Sequence, residues 1–362
     1  MKIVITGGHL TPTLAVIEKI PKDWEILFVG RKYAMEGDKE VSLEYKTIRD
    51  LGIKFVGLNT ARLQRSFTKH TIPSLLKIPG SYISAFSILK KFEPDVILGF
   101  GGYISVPVVI SGKLLGIPSV IHEQTLRVGM SNKILSSFAD KICVSWESSL
   151  GYFPGNKRVL TGNPVRKNFS EPTYLPQGSD PLIFIFGGAT GSHSINVLIE
   201  KIIDRLLEKY RVLHLTGAMD FEQMNQKKKK LKFSNKYLVL PALSPFHMGY
   251  VLKNASLVIC RSGINTVTEL INFQKPVILI PLPFGQKNEQ LENARFIERL
   301  GLAEVLIQEE TNPEILLATV NKMFENIDEY TLKEKNILIE NASVRIWTEV
   351  KNATDKKNKK TE

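Results

Sequence analysis

At 362 residues, 43% of them apolar, the chain exceeds one ordinary domain and carries enough apolar material for two cores. A net charge of +12 favours acidic partners such as nucleic acid, anionic lipid or phosphorylated substrates. Cys143 and Cys260 end apolar runs with no CxxC spacing, so they read as small buried hydrophobes of a reducing cytoplasm.

The N-terminus, MKIVITGGHL, is a short strand running into glycines, with no apolar stretch long enough for a signal peptide or a spanning helix. KIVITGGHLTPTLAVIEKI at 2–20 and PLIFIFGGATGSHSINVLIEKI at 181–202 form a near-repeat of strand, Gly-Gly turn and apolar-periodic helix, each opening an α/β domain. Residues 62–91 interleave Arg62, Arg65, Lys69, Lys77, Lys90 and Lys91 with Leu75, Leu76, Ile78, Tyr82, Ile83 and Phe86. Such a helix either lies in an anionic membrane interface or buries its apolar stripe on its own core. Beyond it come a buried strand at 95–98, a Gly turn, a helix over about 104–115 and a strand at 118–121. Asn163 to Pro181, with Pro164, Pro172, Pro176, Gly178 and Pro181, suits neither helix nor strand and is expected to link two domains. In the second half, VLHLTG, YLVLPAL, SLVIC and PVILIPLP are short strands between helical patterns, which predicts a second parallel sheet. The lysine run 227–230 is expected to be a solvated loop, and the tail carrying KKNKK at 356–360 to be disordered.

The segment CRSGINTVTEL, Cys260 to Leu270, carries the most chemistry. A strand ends at Cys260 and a short turn delivers the chain into a helix. The unpaired N–H groups and positive dipole end of that helix, with Arg261 and Ser262, suit a diphosphate. Glu269 lies on the same helix face as Thr266, placed to accept from both hydroxyls of a ribose. The alternative is an ordinary strand–turn–helix with Ser262 as N-cap and Glu269 solvated. No GxGxxG follows a strand, and there is no GxxxxGK[ST] loop, Cys/His cluster or Asp-x-Asp. Dehydrogenases and P-loop NTPases fall away, and a diphosphate would be held by amides, dipoles and Arg without metal.

In order along residues 1–305, TGGHLTPTLA, GFGGYISVP, HEQTLRVGMSNK, TGNPVR, GGATGSHSIN, CRSGINTVTEL and NEQLENA resemble the motifs of the MurG family. These are GT-B glycosyltransferases, family 28, of peptidoglycan synthesis. The resemblance implies an α/β GT-B fold, two Rossmann-like domains with parallel sheets facing across a cleft. Its expected divisions are an acceptor and membrane-association domain at 1–163, a hinge at 164–180, a UDP-sugar donor domain at 181–345 and a basic tail at 346–362. It implies inverting transfer of N-acetylglucosamine (GlcNAc) from UDP-GlcNAc to the C4 hydroxyl of lipid I, the lipid-linked muramyl-pentapeptide, to form lipid II. No cofactor, metal or nucleic acid is expected, and the place is peripheral, on the cytoplasmic face of the plasma membrane.

Residue by residue, the resemblance assigns the donor to Thr6, Gly7, Gly8, Thr125, Arg166, Ala189, the run Arg261, Ser262, Gly263, Ile264, Asn265, Thr266, Val267, Thr268 and Glu269, and Gln290, which would reach the GlcNAc hydroxyls. It assigns the acceptor to Tyr103, His122, Glu123, Gln124 and Asn132. His9, at the mouth of a helix, is the candidate general base or else a helix cap, with His122 and Glu123 a second candidate pair. The chain departs from the family pattern in several places: the first loop is two residues shorter than GGTGGH, Thr125 replaces Asn, Ala189 and Thr190 replace Ser and Gln, Glu289 replaces His or Gln, and Pro245 to His247 replace acidic residues. These swaps leave open a glycosyltransferase with another lipid or small-molecule acceptor. A UDP-sugar epimerase or a noncatalytic UDP-sugar-binding protein are further alternatives.

Overall fold

The computed structural model describes residues 1–33, 41–60, 71–167, 169–188, 190–283, 288–334 and 337–361, without the side chains of 71–77 and 356–361. The chain forms two compact units, Met1–Arg166 with Ile339–Glu362, and Lys167–Leu338.

The first unit runs β1 (Lys2–Thr6), α1 (Leu10–Ile17), β2 (Glu25–Gly30), α2 (Leu43–Asp50), β3 (Lys54–Gly57), α3 (Thr71–Phe92), β4 (Val96–Gly99) and α4 (Ser105–Leu114). It continues through β5 (Ser119–Glu123), α5 (Met130–Leu135), β6 (Lys141–Val144), α6 (Glu147–Leu150) and β7 (Arg158–Leu160). Its seven strands order as β3-β2-β1-β4-β5-β6-β7, all parallel. β1, β4 and β5 are buried at nearly every position because both faces of a parallel sheet are covered. One face packs Val4, Ile97 and Ile121 against Ala85, Leu89 and Val108 of α3 and α4. The other packs Ile3, Ile5 and Leu98 against Leu14 of α1 and against Ile346, Trp347 and Val350.

Those last three residues lie on α13 (Ala342–Thr361). The segment expected to be a basic tail is therefore a helix whose apolar side closes the first core, with Trp347 edge-on to Trp24 at 4.8 Å.

The second unit runs β8 (Leu182–Phe186), α7 (His193–Lys209), β9 (Arg211–Leu215), α8 (Phe221–Lys229), β10 (Tyr237–Leu240), α9 (Pro245–Asn254), β11 (Leu257–Cys260) and α10 (Ile264–Phe273). After these come β12 (Val277–Leu279), α11 (Glu289–Arg299), β13 (Ala303–Val305) and α12 (Pro313–Glu325). Six parallel strands order as β10-β9-β8-β11-β12-β13. Lys227, Lys228 and Lys229 form the last turn of α8 rather than a loop, where cations offset the negative end of the helix dipole. Of the segment expected as a hinge, 164–180, all but Pro164, Val165 and Arg166 belongs to the second unit. Ser170 N–H donates to Phe246 O, Gln177 N–H to Asn235 O, and the Phe169 ring lies against Phe273 at 5.8 Å.

Candidate functional site

Each sheet has one topological switch point, between β1 and β4 in the first unit and between β8 and β11 in the second. Strands flanking such a point send their connections to opposite faces, leaving a crevice at their carboxyl ends where ligands bind. The Gly turns and the Cys260–Leu270 segment sit at these points.

In the second unit, α10 begins at Gly263, whose backbone is extended, with no side chain capping the helix and no acidic residue in the first turn. Helices α2, α9 and α12 are capped by Ser42, Ser244 and Asn312. The N-terminus of α10 thus keeps the amides and dipole end that an anion requires. Ser262 is not the cap: its hydroxyl donates to Gln290 O at 2.7 Å, and its own carbonyl accepts from Asn293 Nδ2 at 3.0 Å. One residue thereby ties the first turns of α10 and α11 together. Gly263, Asn265, Thr266 and Glu269 retain access to solvent and share one side of the first turns. Ile264, Val267 and Thr268 are buried. Of the residues expected at the donor in this run, these three have their side chains packed inside, and Thr268 Oγ1 donates back to Ile264 O at 2.8 Å.

Arg261 departs from expectation. Its Nη1 donates to Ile280 O (2.8 Å) and Pro281 O (3.1 Å), and its Nη2 to Ser194 Oγ and Gln308 Oε1, both at 2.7 Å. Only 8% exposed, the guanidinium is turned inward onto four neutral oxygens instead of outward as a fork for a diphosphate. Gln290 Oε1 accepts from Leu282 N–H at 3.0 Å. Ser194, Gln308 and Asn293 are not among the residues assigned from sequence. Asn293 falls inside the NEQLENA string and Ser194 inside GGATGSHSIN, whereas nothing local marks Gln308; Ser194 and Gln308 reach Arg261 across 67 and 47 residues.

The Gly187–Ser192 loop leads from β8 to α7; Ala189 lies outside the described residues. Gly191 has φ +80°, and a Cβ there would stand 2.2 Å from Thr216 O, so the loop locks onto the turn after β9. Behind it Asn196 donates to Thr216 O (2.8 Å) and Asp220 Oδ2 (2.6 Å), leaving its Oδ1 to accept from His214 Nε2 at 2.9 Å. Burial pushes His214 down to about 3, so it is a neutral structural histidine.

In the first unit, Gly7 (φ +137°) follows β1, and a Cβ on it would stand 2.9 Å from Phe100 Cβ, so the turns after β1 and β4 close on one another. Thr6 is fully buried and its Oγ1 has no partner among the described residues, while Gly8 is exposed. His9 precedes α1 without capping it through its side chain. It is half-buried, and desolvation holds its pKa below the ordinary histidine value, which keeps the imidazole neutral and able to accept a proton. Tyr103, half-buried, packs on the core beside α4.

The expected second acid–base pair and the acceptor contacts beside it are corrected by burial. His122, Glu123, Gln124 and Asn132 are each 2% exposed or less: the first two end β5, an interior strand covered on both faces, and the other two bond directly to them. Gln124 Nε2 donates to His122 Nδ1 (3.0 Å), so His122 Nε2 carries the hydrogen and donates to Gly162 O (3.0 Å). Burial pushes this histidine down to about 4, and the nearby His9 adds to the shift. Glu123 accepts from Thr125 N (3.0 Å) and Thr125 Oγ1 (2.6 Å) on one oxygen, and from Gly129 N and Asn132 Nδ2 (both 3.1 Å) on the other. Thr125, expected at the donor, is thus held inside this network with 8% exposure. These residues set the shape of the loop after β5 and leave no carboxylate or imidazole free for a substrate. Arg166, expected on the diphosphate, pairs with Glu18 Oε1 at 2.7 Å at the end of α1, and both side chains are largely buried.

Among the described residues no group of three or more His, Cys, Asp or Glu is placed to hold a metal ion. Residues 4–144 match the glycosyltransferase family 28 N-terminal domain and residues 182–346 its C-terminal domain. A UDP-N-acetylglucosamine–N-acetylmuramyl-(pentapeptide) pyrophosphoryl-undecaprenol N-acetylglucosamine transferase of Pediococcus pentosaceus is 33% identical over 347 residues, covering 93% of this chain and 92% of that one. The chain belongs to glycosyltransferase family 28.

Solved structures agree on the fold. MurG of Acinetobacter baumannii is 23% identical with a TM-score of 0.66, covering 97% of this chain and 100% of that one. A UDP-GlcNAc 2-epimerase from Neisseria meningitidis, bound to UDP-GlcNAc, is 14% identical with a TM-score of 0.65, covering 97% and 100%. Scores this close mean that architecture does not separate transferase from epimerase here. The family 28 sequence match does, and this enzyme is a glycosyltransferase.

Proposed function

We propose that this family 28 enzyme transfers GlcNAc from UDP-GlcNAc to the C4 hydroxyl of lipid I, forming lipid II for peptidoglycan, without a metal ion. The observation that carries the reading is the uncapped, acid-free N-terminus of α10 with Thr266 and Glu269 on its accessible side, in a chain aligned over 93% of its length with a transferase of that name. Helix amides meet the diphosphate and Glu269 the ribose. Gln290 reads the sugar. The acceptor oxygen attacks the anomeric carbon, His9 takes its proton, the bond from that carbon to the diphosphate oxygen breaks, and UDP leaves with the negative charge. Stabilising that charge and aligning the reactants supply most of the rate. One general base contributes about 10²–10⁴-fold.

The lipid tail of this acceptor calls for a membrane surface. No helix of the described residues is long and apolar enough to cross a bilayer. The first unit carries 28 Lys and Arg against 17 Asp and Glu, a net +11, and the second 20 against 19, a net +1. On the first unit, α3 packs on α4 and α4 on α5. These helices expose Ile83, Phe86, Leu114, Met130 and Ile134 beside Lys90, Lys91 and Lys133. Apolar side chains amid lysines suit the anionic cytoplasmic face of the plasma membrane, where the enzyme would be peripheral.

The test is transfer of labelled GlcNAc from UDP-GlcNAc to a short-chain lipid I analogue in EDTA, with Glu269→Ala as control. Product that forms in EDTA and disappears in the variant is the expected result. UDP-GlcNAc binding without product moves the acceptor elsewhere, and absence of UDP binding removes the donor assignment.

A further inference from the structure

The turn after β11 controls Gln290 twice. Ser262 fixes its backbone, since the hydroxyl donates to Gln290 O at 2.7 Å. Arg261 fixes the peptide run on which its side chain rests: Nη1 holds Ile280 O and Pro281 O, and the next amide, Leu282 N–H, donates to Gln290 Oε1 at 3.0 Å. A backbone N–H is met only by the oxygen end of a carboxamide. The orientation of the Gln290 amide is therefore set, with Oε1 committed to the loop and the NH₂ end without a partner among the described residues. Any group that meets it must accept a hydrogen bond. The other end of the guanidinium is anchored by Ser194 and by Gln308, so four of its five N–H groups are engaged.

We propose that Arg261 is a positioning residue for sugar recognition, acting through residues 280–282 to aim the Gln290 amide, and is not a ligand of the donor diphosphate. The inference rests on the donor reading above, in which Gln290 meets the sugar. Lysine keeps the charge of Arg261 but cannot reproduce a planar fork that holds two carbonyls and two side chains at once. A diphosphate ligand and a positioning residue therefore respond differently to the same conservative change.

The experiment measures dissociation constants for UDP and for UDP-GlcNAc by calorimetry in the wild type, Arg261→Lys, Gln290→Ala and the double variant. Arg261→Lys is expected to lower the ratio of UDP-GlcNAc to UDP affinity about three- to tenfold, with UDP itself little changed. The double variant should have the ratio of Gln290→Ala alone, because the two changes remove one interaction. An equal loss for both ligands, an unchanged ratio or a double variant with multiplied effects would overturn the proposal. If Arg261→Lys does not fold, Gln308→Ala, which loosens the outer anchor, should lower the ratio about two- to threefold with the same non-additivity. A wild type that binds no UDP overturns the donor reading, and the proposal with it; normal wild-type binding with unmoved ratios overturns the proposal alone.

Discussion

The two units share a strand order about their switch points yet use their polar residues in opposite ways. In the second unit Thr266 and Glu269 remain accessible on a helix whose amides are uncapped, and polar side chains behind them hold the surrounding loops. In the first unit the polar run His122–Thr125 is consumed inside the protein, and the accessible features are glycines, one half-buried histidine, exposed apolar side chains and a net charge of +11. The contrast suits two ligands of different chemistry. A nucleotide is recognised by hydrogen-bonding groups held in place, whereas a lipid-linked sugar is brought in from a surface by charge and apolar area.

Breaking the first unit's chemistry should have the largest effect. His9→Ala is expected to lower kcat about 10²–10⁴-fold with UDP affinity unchanged, read by steady-state kinetics and calorimetry. A loss below about tenfold would place the base elsewhere. Because the pKa of His9 is lowered, its base form persists below the ordinary histidine value. The acid limb of kcat/KM should accordingly begin below about pH 6.5. Next comes the ribose contact proposed for the second unit: Glu269→Ala should weaken UDP binding about ten- to a hundredfold while thermal unfolding is unmoved. Retention of full affinity would sink that assignment. The membrane surface is tested by Ile83→Asp with Phe86→Asp, which should reduce binding to anionic vesicles about tenfold and leave turnover of a water-soluble acceptor analogue unchanged.

The smallest effect separates the buried histidines. Native His122 and His214 are pushed down to about 4 and about 3, whereas an unfolded histidine titrates near 6.5. Between those values the unfolded chain binds more protons, so stability is held above pH 6.5 and lost as pH falls through this window. Replacing either histidine with Gln should flatten that loss by about 1–3 kcal/mol. All three tryptophans, Trp24, Trp146 and Trp347, belong to the first unit. Their fluorescence should register His122→Gln and not His214→Gln.

Much of this was legible in the sequence, for physical reasons that differ by region. The near-repeat at 2–20 and 181–202 located both first strands, because a buried parallel strand must be continuously apolar and must end on a turn. The Cys260–Leu270 segment was likewise placed from the change of period and the Arg-Ser-Gly turn. The direction of Arg261 was not legible, since its four acceptors come from residues 19 to 67 positions away. The His-Glu-Gln run looks like an acid–base set until β5 is known to be an interior strand. The helix at 342–361 was hidden because Ile346, Trp347, Val350 and Ala353 form a narrow apolar stripe within a polar, lysine-ended segment.

That last helix has a consequence for how the protein can be divided. The second unit is one uninterrupted segment, 167–338, inserted between residues 1–166 and 339–362 of the first. Expressed alone, 167–338 contains every strand of its own sheet. Residues 1–166 are not complete in the same way: they lack α13, which with α1 covers one face of their sheet. A chain cut at residue 340 would thus keep all the residues assigned to ligands and still lose Ile346, Trp347 and Val350 from the first core.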